Sequence, residues 1–596
     1  MAMTARPPFH GEFRKLVVAI DVGTTYSGVS YSILDPGEVP KTLGVRRYPG
    51  QEGKAGDSKI PSILYYDKYG AVQAAGAEAL LPSILDKAED EEWVKVEWFK
   101  LHLRPTNMPR KDSEAKYNRM TDLPHGKTIV DVFADFLRYL YSCTKQYIIE
   151  THASGDLLWD SLEDQIDFVL SHPNGWGGAQ QAQMRSAATQ AGLVRDTHDG
   201  QARIQFVTEG EASVHFCISN GLASDAMKDQ ETIMVVDAGG GTVDISTYTV
   251  KMDVGLTMEE IAVPECIFQG SAIVSFRARE YLTDKLASSR YANDQDVAEM
   301  FKEFDRSTKL VFRNKEEASY IKFGSMRDRE PQYHIRNGQI MLTGDEVASL
   351  FEPSISGIKQ AICKQSLAAE QPISSIFLVG GFAASPWLFS ELKDCADELG
   401  MRFSRPDTHT HKAVAEGGVS FYLDHFVSVR VARFTYGAKC LTGFQSSKSE
   451  HKRRSHRLMT RPSGRKFLPN GFAVILQEGT RVSEETEFYR ELNIESYDPL
   501  SYLFTDIACY KGKFKNPQWT DTEPGMFTTL CNITGDISDI PMVPKKGPLG
   551  AYYSQSFDVV LSFGLTELKA QLRWFDNGIE KRCPASTVFD DEVAVM

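Results

Sequence analysis

The sequence predicts an α/β fold from residue 16 to about residue 425, followed by a β-rich C-terminal domain, on three observations. Helix-like and strand-like patterns alternate through the first region. Within it, one strand–turn–strand pattern occurs twice. Beyond about residue 430 the character changes: Phe472–Leu476, Ser556–Phe563 and Glu567–Phe575 read as strands, and Asp576-Asn577-Gly578 is a strong hairpin turn. The 596-residue length allows about four units of ordinary size, and 42% hydrophobic with 24% charged residues suits a chain that buries real cores.

Two helices announce themselves. Asp131–Glu150 carries an apolar stripe of Val132, Phe133, Phe136, Leu137, Leu140 and Cys143. Thr343 and Glu346 have capping-box spacing and precede Val347, Leu350, Phe351, Ile355, Ile358 and Ile362, so a helix is expected to start there.

The formal charge of -14 repels phosphate backbones, so nucleic acid is not an expected partner. The first 15 residues lack the apolar core of an export signal, and no uncharged apolar stretch approaches the 18 or so residues that cross a bilayer. No membrane is expected, and the cytoplasm is the expected location, with the nucleus as the alternative. Nine cysteines, odd in number and without a C-x-x-C pair, argue against a disulfide framework or a zinc site and read as reduced and mostly buried. Asn532-Ile533-Thr534 matches a glycosylation sequon and reads as an ordinary turn. Lys448–Lys466 holds eight Lys or Arg residues; it could act as a nuclear-import signal or an anion patch, but a solvated, mobile loop is the preferred reading.

The repeated pattern carries the chemistry. Val17-Val18-Ala19-Ile20-Asp21 runs into Val22-Gly23-Thr24-Thr25, and Ile233-Met234-Val235-Val236-Asp237 runs into Ala238-Gly239-Gly240-Gly241-Thr242. Each is followed by a second apolar segment, Tyr26–Leu34 and Val243–Val250. A buried strand that delivers a carboxylate into a glycine and hydroxyl turn suits polyphosphate: turn N–H groups surround the oxygens, glycine allows close approach and threonine adds donors. Facing carboxylates at Asp21 and Asp237 would repel both each other and phosphate, which calls for a bridging divalent cation, and magnesium held largely through water suits such hard oxygen ligands. A third segment, Ile376-Phe377-Leu378-Val379-Gly380-Gly381-Phe382-Ala383-Ala384-Ser385-Pro386, reads as strand, double-glycine turn and helix start, where a flat ring could lie against the backbone. No P-loop or Rossmann glycine signature follows a strand.

In this order the three segments resemble the phosphate-1, phosphate-2 and adenosine motifs of the actin-like ATPase superfamily, and within it the heat-shock-70 chaperones. Ile60-Pro61-Ser62-Ile63-Leu64-Tyr65, Val96-Glu97-Trp98-Phe99-Lys100-Leu101, Ser171-His172-Pro173-Asn174 with Thr208-Glu209-Gly210-Glu211-Ala212, and Arg405-Pro406-Asp407 with Ala413-Val414-Ala415-Glu416-Gly417-Gly418 are similar to further segments of that family. The resemblance implies a two-lobed actin-like ATPase with a duplicated ribonuclease H-like core. Its divisions would be a flexible terminus (1–15), lobe I (16–225), lobe II (226–428) and a β-rich C-terminal domain (429–596). The chain departs from the family at Ala384, where typical chaperones have a basic residue, in a loose match to the adenine-clasping helix at Glu303–Lys309, and in lacking a recognisable interdomain linker and a long helical lid.

The resemblance also implies roles. ATP or ADP would bind with Mg2+; Gly23, Thr24, Thr25, Tyr26, Gly239, Gly240, Gly241 and Thr242 would donate to phosphates, and Asp21 and Asp237 would hold hydrated magnesium. Lys100, Glu209, Asp237 and Thr242 would form the catalytic set, Lys100 on the γ-phosphate with Glu209 and Asp237 ordering water. Gly380, Gly381, Ser385 and Lys309 would border the adenosine. The implied function is a chaperone-like ATP-hydrolysing switch whose β-rich domain meets polypeptide clients or a protein partner. The alternatives are an ATP-binding regulator or scaffold with negligible hydrolysis, and a small-molecule kinase on the same fold.

Overall fold

Two sheets with the same strand order form the centre of the N-terminal unit. A computed structural model of the chain describes residues 6–51, 59–105, 122–221, 228–253, 255–405, 413–564 and 567–587. The first sheet runs Leu43–Gly44, Tyr26–Leu34, Lys15–Asp21, Ile166–His172, Ile204–Thr208, with Lys59–Pro61 also on Tyr26–Leu34. In the second, Val243–Lys251, Thr232–Ala238, Ser375–Val379 and Arg402–Ser404 follow one another, with Thr257–Glu260 and Glu265–Ile267 on the outer side of Val243–Lys251. Each sheet pairs one antiparallel hairpin, Asp21 opposite Gly28 and Asp237 opposite Asp244, and then adds two parallel strands. Val17 to Ile20 and Ile233 to Val236 are buried almost completely, as continuous apolar runs in parallel sheets must be. The chain is a mixed α/β protein with several sheets.

A helix follows the last parallel strand of each sheet: Glu209–Ser219 after Ile204–Thr208, and Ala413–Asp424 beyond Arg402–Ser404. The two cross at a point where only glycine fits, because a methyl group on Gly417 would stand 1.8 Å from the Ala212 carbonyl oxygen. The chain divides into two compact units, Met1–Trp176 with Gln183–Val427, and Gly177–Ala182 with Ser428–Met596.

The helices read from the sequence form. Ile129–Thr151 buries Val132, Phe133, Phe136, Leu137, Leu140 and Cys143. Gly344–Ala368 begins with the reciprocal box: Thr343 Oγ1 accepts from the Glu346 N–H at 3.2 Å, and Glu346 Oε2 accepts from the Thr343 N–H at 2.7 Å. Burial opposes ionisation of Glu346, but donors from Lys285, Tyr281 and the Thr343 backbone outweigh it and hold the carboxyl down at about 2.

In the C-terminal unit, one sheet runs Met459–Thr460, Lys466–Leu476, Thr435–Gly443, Tyr502–Tyr510, Phe527–Asp536. The other runs Glu487–Ser496, Gly550–Gly564, Glu567–Asp576, Ile579–Arg582. Leu503, Ile507, Ile533, Val559, Leu561, Leu572 and Trp574 belong to one buried cluster. Asn577 and Gly578 take left-handed φ values of 50° and 82° between the paired Asp576 and Ile579, the geometry of a two-residue hairpin turn.

Two sequence readings need correction here. The basic run is not a shapeless loop: it holds a short helix, Ser449–Arg453, a 3-10 turn, Ser455–Arg457, and a strand, Met459–Thr460. Arg454 and Arg457 both pair with Asp521, at 2.6 and 2.5 Å, and the Arg454 guanidinium lies 4.3 Å from the Trp519 ring centre, which orders these two side chains although most of the run's cations are exposed as expected. Asn532-Ile533-Thr534 lies inside the strand Phe527–Asp536 rather than at a turn, because Ile533 is needed in the core. All nine cysteines are free thiols, six of them buried and Cys363 exposed. No helix among the described residues is long and apolar enough to cross a membrane. Residues Pro406 and Asp407, quoted above for the resemblance, lie outside the described residues.

Two outcomes are expected. Gly417→Ala should cost about 1–3 kcal/mol, read from urea unfolding, because neither helix backbone can yield locally. Glu346→Gln should cost about 1–2 kcal/mol at pH 7. Its folded carboxyl titrates at about 2 against an ordinary 4.5, so that stability is present above pH 4.5, and the gap to the unaltered chain should close as pH falls toward 2.

Candidate functional site

Each hairpin turn is shaped by a neighbouring segment. The first is pinned by Ser62, whose hydroxyl donates to the Gly23 carbonyl at 2.8 Å and whose N–H donates to the Thr25 carbonyl at 2.9 Å; Ser27 Oγ accepts from the Gly23 N–H at 3.2 Å and meets Ser62 Oγ at 2.8 Å. The Pro-Ser segment is thus a clamp on the turn. In the second turn, Gly239 N–H donates to the Thr242 carbonyl, while the carbonyls of Gly239, Gly240 and Gly241 accept from Ser271, Ala272 and Gly270 at 2.8–3.2 Å, at the start of the helix Ser271–Lys285. That helix consumes the turn's acceptors and leaves a turn whose remaining character is that of a donor.

The two turns abut. A methyl group on Gly240 would come within 2.3 Å of Thr25 Oγ1, and one on Gly241 within 2.4 Å of Thr24 Oγ1. The third segment joins them: Gly380, at φ 89°, lies so close to the end of the second hairpin's first strand that a Cβ would meet Asp237 Oδ1 and the Ala238 carbonyl at 2.4 Å. Gly381, by contrast, has open space on its Cα.

The buried charges gather beside these turns. Lys100, in the 3-10 segment Phe99–Leu103, donates to Glu209 Oε1 at 2.5 Å, and both residues are buried. Its ammonium lies 5.7 Å from the Trp176 ring centre. Asp21 accepts from Lys59 Nζ at 2.7 Å and from Ser171 Oγ at 3.0 Å. Asp237 accepts from Ser213 Oγ at 2.6 Å, and Asp244 from the Asn174 N–H at 2.6 Å. Thr242 is buried.

Four buried carboxylates therefore face two ammonium groups. Burial opposes ionisation of Asp21, yet Lys59 and then Lys100 overcome it and hold the carboxyl below its usual range. Burial likewise disfavours the Lys100 cation, and Glu209 and Asp21 reverse this and raise its pKa. Glu209 is raised, since burial with the Asp21 charge exceeds the pull of Lys100. Asp237 rises to about 7 through burial and the Glu209 charge, and Asp244 rises well above its ordinary value for the same reasons. Such excess negative charge around hard oxygen donors fits a divalent cation. Among the described residues no group of three or more His, Cys, Asp or Glu side chains is arranged to hold a metal ion.

Three other residues singled out from the sequence have these surroundings. Ser385 is buried and caps the helix Pro386–Glu398, accepting from the Leu388 N–H at 3.3 Å. Lys309 is buried against Ser275 Oγ at 2.9 Å and pairs with Asp305. Tyr26 opens the second strand of its hairpin and is half exposed. Sequence reasoning missed Lys59, Ser171, Ser213 and Asp244. Lys59 directly precedes the quoted Ile60-Pro61-Ser62, and Ser171 opens Ser-His-Pro-Asn, so both were adjacent to a signal without being read. A separate cavity of about 690 Å³ lies in the C-terminal unit, with His451, Phe472, Arg490 and Trp519 on its wall, and none of the candidate nucleotide-site residues lines it.

The chain is similar to three curated relatives. It is 24% identical to "Heat shock 70 kDa protein 12A" of Mus musculus and 22% identical to the Homo sapiens protein of that name, over 93% of this chain and 89% of each relative. It is 23% identical to "Heat shock 70 kDa protein 12B" of Homo sapiens over 74% of this chain and 73% of the relative. No protein-family model matches the chain. The resemblance to divergent heat-shock-70-like proteins, read above from residues 16 to 425, thus extends over most of the chain.

Lys100→Met strands the Glu209 charge among other carboxylates and should cost about 3 kcal/mol or more in urea unfolding, whereas Glu209→Gln should cost less, because Asp21 still supports the Lys100 cation and one carboxylate of the excess is removed. The double variant should cost clearly less than the sum, a coupling of about 1–3 kcal/mol.

Proposed function

We propose that the chain is a magnesium-dependent ATP-binding protein of the actin-like ATPase type, in which sister lobes at about 16–225 and 226–428 close on one nucleotide and a C-terminal β-rich domain at 429–596 reads the outcome. One observation carries this reading: the two glycine and threonine turns meet, and the buried Asp21, Asp237, Lys100 and Glu209 lie near enough to one another for each to feel its neighbours' charge. The repeated strand order supports a duplicated core, and the printed names of the relatives support the family.

In this reading Thr24, Thr25, Gly240, Gly241 and Thr242 donate hydrogen bonds to phosphate oxygens. Magnesium, when bound, would neutralise phosphate charge next to Asp21 and Asp237. Lys100 leaves or shares its bond with Glu209 to meet the terminal phosphate, and Glu209, freed of its partner, orients water and accepts a hydrogen bond from it. Gly380 keeps the third segment against Asp237, so a base lying on the Gly380-Gly381 backbone senses what happens at the phosphates. Hydrolysis then weakens the bridge between the lobes and makes the nucleotide a switch.

One feature favours a second reading, an ATP-binding scaffold with negligible turnover. Lys100 and Glu209 satisfy each other at 2.5 Å, and breaking a buried pair opposes catalysis.

Calorimetric titration with ATP, with and without magnesium, tests the site itself: saturable one-site binding that tightens with magnesium is expected, and no binding overturns the proposal. Phosphate release then separates the two readings. Turnover that falls about 100-fold or more in Lys100→Ala supports the ATPase, whereas equal background rates in both proteins leave the scaffold.

A further inference from the structure

The two hairpins are not equivalent in charge. In the first sheet one row crosses three strands: Asp21 is opposite Gly28, and Gly28 is opposite Lys59. Neighbours in such a row share a face, and the middle glycine has no side chain, so the Lys59 side chain passes over it to reach Asp21 Oδ2 at 2.7 Å. The matching row of the second sheet is Asp237, Asp244 and Cys266. The first row therefore carries a carboxylate and its own cation, while the second carries two carboxylates and a thiol.

Lys59 is a fixed part of this site. Its side chain is mostly buried, at 16% exposure, and Asp21 is more deeply buried at 4%. It starts the strand Lys59–Pro61, whose continuation, Ser62, clamps the Gly23–Thr25 turn through both its hydroxyl and its N–H. The same short segment thus sets the turn's shape and places an ammonium beside it. A lysine is a compact point charge with three donors, so it can keep one bond to Asp21 and direct another to a phosphate oxygen.

We propose that Lys59 is a phosphate-binding residue of the first turn, a built-in cation that gives the chain a component of nucleotide binding independent of a divalent ion. This rests on the nucleotide reading above and goes beyond it, since that reading assigns cation chemistry to Lys100 and magnesium alone. Lys59 offsets the Asp21 charge at the first turn, whereas Asp237 and Asp244 at the second have no lysine in their row.

The test is equilibrium binding of ADP by calorimetry, in EDTA and in magnesium, for the unaltered chain, Lys59→Met and Lys59→Arg, with thermal unfolding of each protein recorded alongside. The unaltered chain should bind ADP in EDTA. Lys59→Met should lose about tenfold or more of that metal-free affinity, with a smaller loss in magnesium, and Lys59→Arg should recover most of it. Metal-free affinity that is the same in Lys59→Met and the unaltered chain overturns the assignment. So does an unaltered chain that binds ADP only with magnesium, and in that case the nucleotide reading stands. An unaltered chain that binds in neither condition overturns both. Should Lys59→Met melt below the assay temperature, Lys59→Gln is judged by the same criterion.

Discussion

The interaction on which the site depends is the close burial of four carboxylates, Asp21, Glu209, Asp237 and Asp244, with two ammonium groups, Lys59 and Lys100. At this depth each charge is felt by the others with little screening, so the arrangement is stable only if protons, lysines or bound cations make up the difference. The raised carboxyls of Asp237 and Asp244 show where the shortage is greatest. The surrounding fold holds these groups where they would otherwise repel: two hairpins deliver Asp21 and Asp237, the 3-10 segment Phe99–Leu103 delivers Lys100, and the helix start after Thr208 delivers Glu209.

Close backbone contact makes this possible. Gly380 against Asp237, Gly417 against Ala212, and Gly240 and Gly241 against the threonines of the first turn are all places where a single methyl group would force elements apart. A buried charge cluster needs such rigidity, because relaxation of the backbone would admit water and dilute the electrostatics. Glycine in these segments serves approach as much as turning.

Much of this was legible in the sequence, and the reason is locality. Strands ending in Asp, the hairpin signal at Asn577-Gly578 and the Thr343–Glu346 box are each written in fewer than ten consecutive residues, and each forms. The Lys100–Glu209 pair joins residues 109 positions apart and was reached only through family resemblance. Lys59 and Asp244 escaped notice because their roles arise from cross-strand register, which no local pattern records. The basic run and the Asn532 sequon were misread for a related reason: Asp521 and Trp519, or the demand of the core for Ile533, override what the short segment alone suggests. Ser385 Oγ accepts from the Leu388 N–H as a helix cap, a contact written within three residues, and keeps its own proton to donate.

The central claim is that both turns contact one nucleotide at once. Amide hydrogen exchange with and without ATP and magnesium measures this most directly, because it reads both turns in one sample. The account predicts that residues 22–26 and 238–242 gain protection together, at the same nucleotide concentration, along with 379–385. Protection of one turn while the other exchanges as before, or a change confined to residues beyond 428, would contradict it.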